Sequence, residues 1–184
     1  MQIPELTTDR LLLRKPGLAD AARIIVLAND PVIAELTLSV PHPYTEAHVI
    51  DWLSIVNAGW KNKTAFAFGI CNPDSGEMLG AVGLHISDKY GYGELGYWLG
   101  APYRGRGYAK EAVAAVINYG FQRTDVVRIQ AIHRVDNLAS GRVLLSNGLQ
   151  REATLENYVI KEGAAWTVVQ YRLLKEEWQI RYHG

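Results

Sequence analysis

The chain contains 184 residues, of which 48% are hydrophobic and 21% are charged. These fractions are close to the averages of globular proteins and argue against a disordered or low-complexity chain. The 19 Lys and Arg residues balance the 19 Asp and Glu residues, whereas a general nucleic-acid binder needs a basic surplus. We therefore expect one folded domain over residues 1–184 that does not bind nucleic acid.

Cysteine content and apolar runs indicate the compartment. Cys71 is the only cysteine, so no internal disulfide can form. No apolar run approaches the roughly 20 residues that cross a membrane, and the start MQIPELTTDR lacks the apolar stretch of a signal peptide. The sequence thus predicts a cytoplasmic protein without membrane contact. It has no HxxxH motif or Cys/His cluster, so we expect no metal.

Apolar runs and turn residues divide the first half of the chain into five elements. Pro16-Gly17 ends the first run, and Asn29-Asp30-Pro31 ends the second. The turn signal Asn72-Pro73-Asp74-Ser75-Gly76 separates two strand-like runs and predicts a hairpin. The predicted elements are a strand at 11–14, a helix at 21–28, a helix capped by Thr45, and strands at 65–71 and 78–87. The apolar face of the second helix consists of Val49, Trp52, Leu53, Val56 and Trp60.

The second half of the chain predicts one long helix among short strands. The apolar stripe of that helix, over 106–124, consists of Ala109, Ala112, Val113, Val116, Ile117 and Phe121. The other predicted elements are strands at 94–99, 128–133, 150–157 and 166–174 and a short helix at 138–146. Because strands and helices do not alternate regularly, we expect a mixed α/β (α+β) fold rather than a doubly wound one.

Two glycine patterns lie close together and make different predictions. Gly91-Tyr92-Gly93-Glu94-Leu95-Gly96 has the letters of the dinucleotide fingerprint, but it runs into a β-rich segment instead of a helix, so we interpret it as a turn entering a strand. Arg104-Gly105-Arg106-Gly107-Tyr108-Ala109 follows a strand and opens the long helix. Small residues let backbone N–H groups approach an anion, and a helix N-terminus adds partial positive charge. This spacing slightly favours a phosphate or pyrophosphate site over an ordinary turn with solvated arginines.

With these motifs the chain resembles the GNAT superfamily of N-acetyltransferases. Arg104, Gly107 and Ala109 match the superfamily's acetyl-CoA motif [Q/R]-x-x-G-x-[G/A]. The resemblance is to the branch with the RimJ- and RimL-type ribosomal-protein N-terminal acetyltransferases. It implies a mostly antiparallel central sheet that is splayed at the acetyl-CoA site, with about four helices. The other segments that carry it are Thr8–Arg14, Glu94–Leu99, Asp136–Arg142, Gly148-Leu149 and Tyr171–Trp178.

The resemblance also implies how acetyl-CoA is held. Backbone groups of Trp98 and Leu99 would pair with the pantetheine arm as if it were an added strand, although the same pattern fits a plain core strand. The amides of the glycine loop would hold the pyrophosphate. Asn137 would contact pantetheine, and helix capping is the alternative role for this residue. The loop residues concerned are Arg104, Gly105, Arg106, Gly107, Tyr108 and Ala109.

Acetyl transfer needs a neutral amine and a stabilised leaving group. At pH 7, deprotonation costs roughly 1.4 kcal/mol for an α-amino group and roughly 4.6 kcal/mol for a lysine. Glu94 is the first candidate base, with a surface carboxylate as the equal alternative, and His85 and His133 are second choices. Many superfamily members place a tyrosine, as donor to the sulfur, where this chain has Leu144. The resemblance to the Rim-type branch implies that Ser140 hydrogen-bonds the sulfur instead, with helix capping again the alternative.

These features predict an acetyl-CoA-dependent N-acetyltransferase that acts on a primary amine. A protein or peptide N-terminal α-amino group, such as that of a ribosomal protein, is the first choice of acceptor. A polyamine, amino acid or antibiotic amine is the second, and a non-catalytic CoA-binding sensor is the alternative from another class. A homodimer is expected by analogy alone. The acceptor site is expected between the loop 31–45 and the late strands, where candidate wall residues are His42, Tyr44, Trp60, Tyr90, Tyr92, Tyr158 and Trp166.

Overall fold

The computed structural model describes residues 3–183, which form one eight-stranded sheet flanked by helices. The strands are β1 (Leu6–Thr7), β2 (Leu12–Arg14), β3 (Ala65–Cys71), β4 (Met78–Ser87), β5 (Tyr92–Leu99), β6 (Arg128–Arg134), β7 (Gln150–Lys161) and β8 (Ala164–Leu174). The helices are α1 (Ala21–Ala28), α2 (Pro31–Leu36), α3 (Glu46–Asn62), α4 (Tyr108–Arg123), α5 (Leu138–Ser146) and α6 (Lys175–His183). The strand order is β1-β2-β3-β4-β5-β6-β8-β7, and of these neighbours only β5 and β6 run parallel. The expected mixed, mostly antiparallel fold is confirmed.

The structure contains two helices beyond the four that the sequence led us to expect. Pro31 begins α2 instead of only ending α1, because Asp30 caps α2 by accepting a backbone N–H and a proline fits the first helical turn. The segment 31–45, expected as a loop, is therefore partly helical. The second addition is α6, whose Trp178 packs against Phe121 of α4 with ring centroids 5.4 Å apart. No helix among residues 3–183 combines the length and the apolar character needed to cross a membrane.

Both helices with predicted apolar stripes bury those stripes against the sheet. In α4, Val113 and Val116 have no exposed surface and Ile117 is 1% exposed, within the larger of two hydrophobic clusters. The smaller cluster joins α1 and the first half of α3 to β4 through residues such as Val49 and Ala81. Burial of each valine or isoleucine side chain contributes about 1.5–3 kcal/mol. The two clusters thereby anchor α1, α3 and α4 on the sheet.

The two parallel strands separate before either of them ends. Their pairing comprises Tyr92 with Arg128, Gly93 with Ile129 and Glu94 with Gln130. Beyond Glu94, β5 stays paired with β4 as far as Leu99, and β6 stays paired with β8. One backbone edge of β5 thus faces an opening in the sheet. This is the splay that the resemblance implied.

Candidate active site

A cavity of about 940 Å³ occupies the opening between β5 and β6. Its wall brings together most of the site residues predicted from sequence. Those that line it are Glu94, Trp98, Leu99, Arg104, Gly105, Ala109, Asn137 and Ser140. Arg106, Gly107 and Tyr108 belong to the same loop but are not among the lining residues. Strand β5, the glycine loop and the start of α5 therefore share one space.

The glycine loop is open on its outer side. Gly105 and Gly107 have φ angles of +73° and +83°, a backbone conformation that favours glycine. A Cβ at Gly105 would meet no atom within 4 Å, and one at Gly107 would meet only the Arg10 guanidinium, at 3.2 Å. Gly107 is the N-cap of α4, and the first amides of a helix have no intrahelical acceptor. Open space at the positive end of a helix fits the pyrophosphate of CoA.

Arg10 is a cation beside this loop that the sequence analysis did not single out. Its Nε donates to Glu111 at 2.8 Å, its Nη1 donates to the carbonyl of Arg106 at 3.0 Å, and its guanidinium lies 4.9 Å from the centre of the Tyr108 ring. The side chain is 51% exposed. Arg10 and Arg106 are 96 residues apart in the chain, so no local spacing signals their contact. Only the position of Arg10 inside the resembling segment 8–14 could have drawn attention to it.

The Arg104 side chain is bound to the protein itself. Its Nη2 donates to Asp30 Oδ2 at 2.7 Å, and its Nε donates to the carbonyl of Leu99 at 2.9 Å. The guanidinium thus connects the glycine loop to the start of α2 and the end of β5. The backbone N–H of Arg104 also has a partner, because it donates to the carbonyl of Ala101 at 3.4 Å.

The start of α5 is organised by two polar side chains. Asn137 is the N-cap, and its Oδ1 accepts the backbone N–H of Ser140 at 3.2 Å. Capping is therefore observed for Asn137, while its side-chain nitrogen takes no part in that bond. The Ser140 hydroxyl lies 2.6 Å from the hydroxyl of Tyr97. Leu144, at the position of the missing tyrosine, is fully buried in the larger cluster.

Two of the three candidate bases are cross-strand neighbours. Glu94 on β5 lies directly opposite His85 on β4, and both are exposed and line the cavity. Residues in such positions have Cβ atoms about 5 Å apart on the same face.

His133 on β6 is the third candidate base and is buried instead. Its Nδ1 lies 2.8 Å from the carbonyl of Arg134 and so carries the proton, and its Nε2 has no hydrogen-bond partner among the described residues. Within residues 3–183, no three His, Cys, Asp or Glu side chains are grouped so that they could hold a metal ion.

Residues 36–41, between α2 and α3, form a roof segment that lines the cavity. Lys161, the last residue of β7, is hydrogen-bonded to this part of the chain. Its Nζ donates to the carbonyls of Thr37 at 2.7 Å and Val40 at 3.2 Å, and also to that of Ala34. Burial lowers the pKa of Lys161. Of the aromatic and histidine residues proposed as acceptor walls, three line the cavity: Tyr44, Tyr92 and Trp166. The other four, His42, Trp60, Tyr90 and Tyr158, do not line it.

Comparison with known proteins bears on what this site does. Residues 10–150 match the family described as an acetyltransferase (GNAT) domain. The chain is 32% identical over 174 residues to a Bacillus subtilis protein named "Uncharacterized N-acetyltransferase YoaA", covering 94% of this chain and 97% of that protein. It is 29% identical over 181 residues to the ribosomal protein uS5-alanine N-acetyltransferase of Escherichia coli, covering 94% and 92%.

Solved structures share the fold at lower identity. RimL, a ribosomal L7/L12 α-N-protein acetyltransferase solved with coenzyme A, aligns with a TM-score of 0.82 at 20% identity, over 95% of this chain and 98% of that one. The microcin C7 self-immunity acetyltransferase MccE, solved with acetyl-CoA and AMP, aligns with a TM-score of 0.80 at 22% identity, over 91% and 93%. The family match adds the enzyme class to this shared fold. This chain belongs to the GNAT family of acetyltransferases, acyltransferases that use acetyl-CoA as the donor.

Proposed function

We propose that this enzyme transfers the acetyl group of acetyl-CoA to the α-amino group of a protein or peptide N-terminus. The observation that carries the proposal is the continuity of the cavity. It extends from Gly105 and Ala109 at the glycine loop to the exposed side chains of Glu94 and His85. The thioester of an acetyl-CoA whose pyrophosphate lies at the loop can therefore meet an amine beside a carboxylate in one space.

The cofactor end of the proposal rests on the loop and on strand β5. Of the loop residues 104–109, those after Arg104 offer their backbone N–H groups to the pyrophosphate, because they lie at the positive end of α4 and next to the exposed side chain of Arg10. Leu99 offers pantetheine the backbone edge that β6 leaves unpaired, whereas the backbone groups of Trp98 pair with Ala81 of β4. The Leu99 carbonyl already accepts from Arg104, so the arm pairs with the remaining groups. Asn137 contributes its side-chain nitrogen.

The amine end of the proposal rests on Glu94 as the base. Its carboxylate is exposed on the cavity wall and makes no hydrogen bond or ion pair with the other described residues. An α-amino group needs only roughly 1.4 kcal/mol to lose its proton at pH 7, so a carboxylate acting directly or through water is sufficient. His85, opposite Glu94 on the same face, is the alternative base.

The choice of a protein N-terminus as the acceptor is supported by the Escherichia coli relative that is 29% identical and is named as a ribosomal protein uS5-alanine N-acetyltransferase. We further propose that the chain is RimJ/RimL-like and acts in the cytoplasm, where ribosomal N-termini are available. The match over residues 10–150 and the single sheet support one acetyltransferase domain over residues 1–184. By analogy with similar proteins, we expect a homodimer.

The test is thiol release from acetyl-CoA in the presence of an amine panel. The panel contains peptides with ribosomal-protein N-termini, the same peptides with blocked α-amines as matched controls, polyamines, amino acids and antibiotic amines. Mass-spectrometric acetylation at the α-amine of the free peptides alone would support the proposal. Turnover with small amines alone would reject the N-terminal acceptor, and CoA binding without turnover of any amine would identify a non-catalytic CoA-binding protein.

A further inference from the structure

A pair of hydroxyl groups connects β5 with α5 at the opening in the sheet. The Tyr97 hydroxyl lies 2.6 Å from Ser140 Oγ and 3.1 Å from the Ser140 carbonyl oxygen. Tyr97 belongs to the part of β5 that β6 no longer pairs, and Ser140 lies in the first turn of α5. Both residues line the cavity. Strand β5 and helix α5 are thus joined by a side-chain hydrogen bond inside the site.

Either hydroxyl can donate across the 2.6 Å contact, and the Tyr97 O–H also lies within reach of the Ser140 carbonyl. Burial raises the pKa of Tyr97 to about 12, even though its hydrogen bond with Ser140 lowers it. Tyr97 therefore keeps its proton at neutral pH and can donate it to Ser140 Oγ. A hydroxyl that accepts one hydrogen bond still has its own proton to donate. When Tyr97 donates to Ser140 Oγ, the Ser140 O–H is free to donate to a third atom in the cavity.

The start of α5 favours a negative charge on that third atom. Asn137 caps the helix through the Ser140 N–H, and a helix N-terminus carries a partial positive charge. The position of the usual tyrosine donor is filled by Leu144, which is fully buried among apolar side chains. Tyr97 therefore brings a phenol to the site from strand β5 instead of from α5.

We propose that Tyr97 is a positioning residue for the leaving group, holding the Ser140 hydroxyl so that its O–H donates to the thioester sulfur. This inference rests on the proposed acetyl transfer. The amine nitrogen forms the new C–N bond, the C–S bond breaks, and the sulfur leaves with the bonding electron pair while hydrogen-bonded to Ser140. The proton lost by the amine passes to Glu94 or to water. Tyr97 keeps its own proton, because a thiol is a stronger acid, with a pKa of about 8.5.

The first experiment is a double-mutant cycle with Tyr97→Phe and Ser140→Ala. In the wild-type background, Tyr97→Phe should lower kcat about tenfold, the loss of one hydrogen bond of about 1.4 kcal/mol, with the KM for acetyl-CoA unchanged. In the Ser140→Ala background, the same change should have no further effect. A packing role for Tyr97 would lower kcat equally in both backgrounds and would overturn the proposal. Tyr119→Phe is the matched control, because Tyr119 is a buried phenol that packs against Phe66 and Phe68 and does not line the cavity. Its kcat should equal that of the wild type.

The second experiment needs no acceptor and separates this inference from the choice of amine. The thiolate absorbance of bound CoA is titrated in the wild type and in Tyr97→Phe. The pKa of the bound thiol should be about one unit higher in the variant, equivalent to the tenfold effect on kcat. Burial raises the pKa of the only cysteine, Cys71, to about 11. The titration of each protein without CoA is subtracted, so that its own thiol and phenol groups do not contribute. Equal pKa values in the two proteins would overturn the proposal even if the wild type acetylates its substrate.

Discussion

Replacing Gly107 by alanine separates the role of the glycine loop in folding from its role in binding CoA. Gly107 has a φ of +83° at the start of α4. Gly163, in the turn between β7 and β8, has a φ of +81° and is the matched control. A Cβ at Gly163 would meet no atom within 4 Å, whereas one at Gly107 would lie 3.2 Å from the Arg10 guanidinium. The two substitutions therefore share the backbone strain and differ in what surrounds the methyl group.

The backbone strain sets the expected loss of stability. Placing an L-residue in the left-handed region costs about 1–2 kcal/mol. For a chain of this length, each kcal/mol lowers Tm by roughly 2–4 °C, so both variants should melt about 2–8 °C below the wild type. Only the Gly107→Ala methyl displaces Arg10 and occupies the surface on which the pyrophosphate would rest. We expect that variant to bind acetyl-CoA at least about tenfold more weakly, a change of about 1.4 kcal/mol.

The assay combines thermal unfolding with calorimetric titration of acetyl-CoA into each protein. Both variants should lose a similar amount of thermal stability, and Gly163→Ala should keep the wild-type Kd. Acetyl-CoA should raise the Tm of the wild type and of Gly163→Ala more than that of Gly107→Ala, because stabilisation by a ligand depends on its Kd. A folded Gly107→Ala protein with the wild-type Kd would refute the assignment of the loop to the pyrophosphate.

Three further outcomes test other parts of the structure. Glu94→Gln should lower the acetylation rate at neutral pH and recover part of it as pH rises and free amine becomes abundant, so a wild-type pH–rate profile would exclude Glu94 as the base. Burial raises the pKa of Asp20, but the hydrogen bonds from Arg14 and from the Gly17 N–H dominate and lower it. The stabilisation from Asp20 should thus be present above its unfolded-state pKa of about 3.9 and be lost as pH falls further. In chemical denaturation, the difference in unfolding free energy between the wild type and Asp20→Asn should therefore shrink below that pH. Leu144→Ala should cost about 2–5 kcal/mol of unfolding free energy without lowering kcat in the folded enzyme. A lower kcat under conditions in which the variant is fully folded would contradict a purely packing role.

Most elements could be predicted because their signals are local. The turn at 72–76 and the apolar runs on either side of it placed β3 and β4 at the observed boundaries. The start of α2 was missed because Asn29-Asp30-Pro31 fits both the end of one helix and the cap of the next, and the pattern alone does not choose between them. In the structure, Asp30 has two partners that favour the second helix: it caps α2 and accepts from Arg104 at 2.7 Å.

The amino-acid sequence by itself determined the features that depend on neighbours along the chain. These are the hairpin turn, the apolar stripe of α4 and the glycine loop at the start of that helix. Only the tertiary structure decided which distant side chains meet. Tyr97 and Ser140 are 43 residues apart, and Arg10 and Glu111 are 101 residues apart. Their contacts depend on the order of the strands in the sheet and on where β5 and β6 separate, and the spacing of residues along a chain carries no record of either.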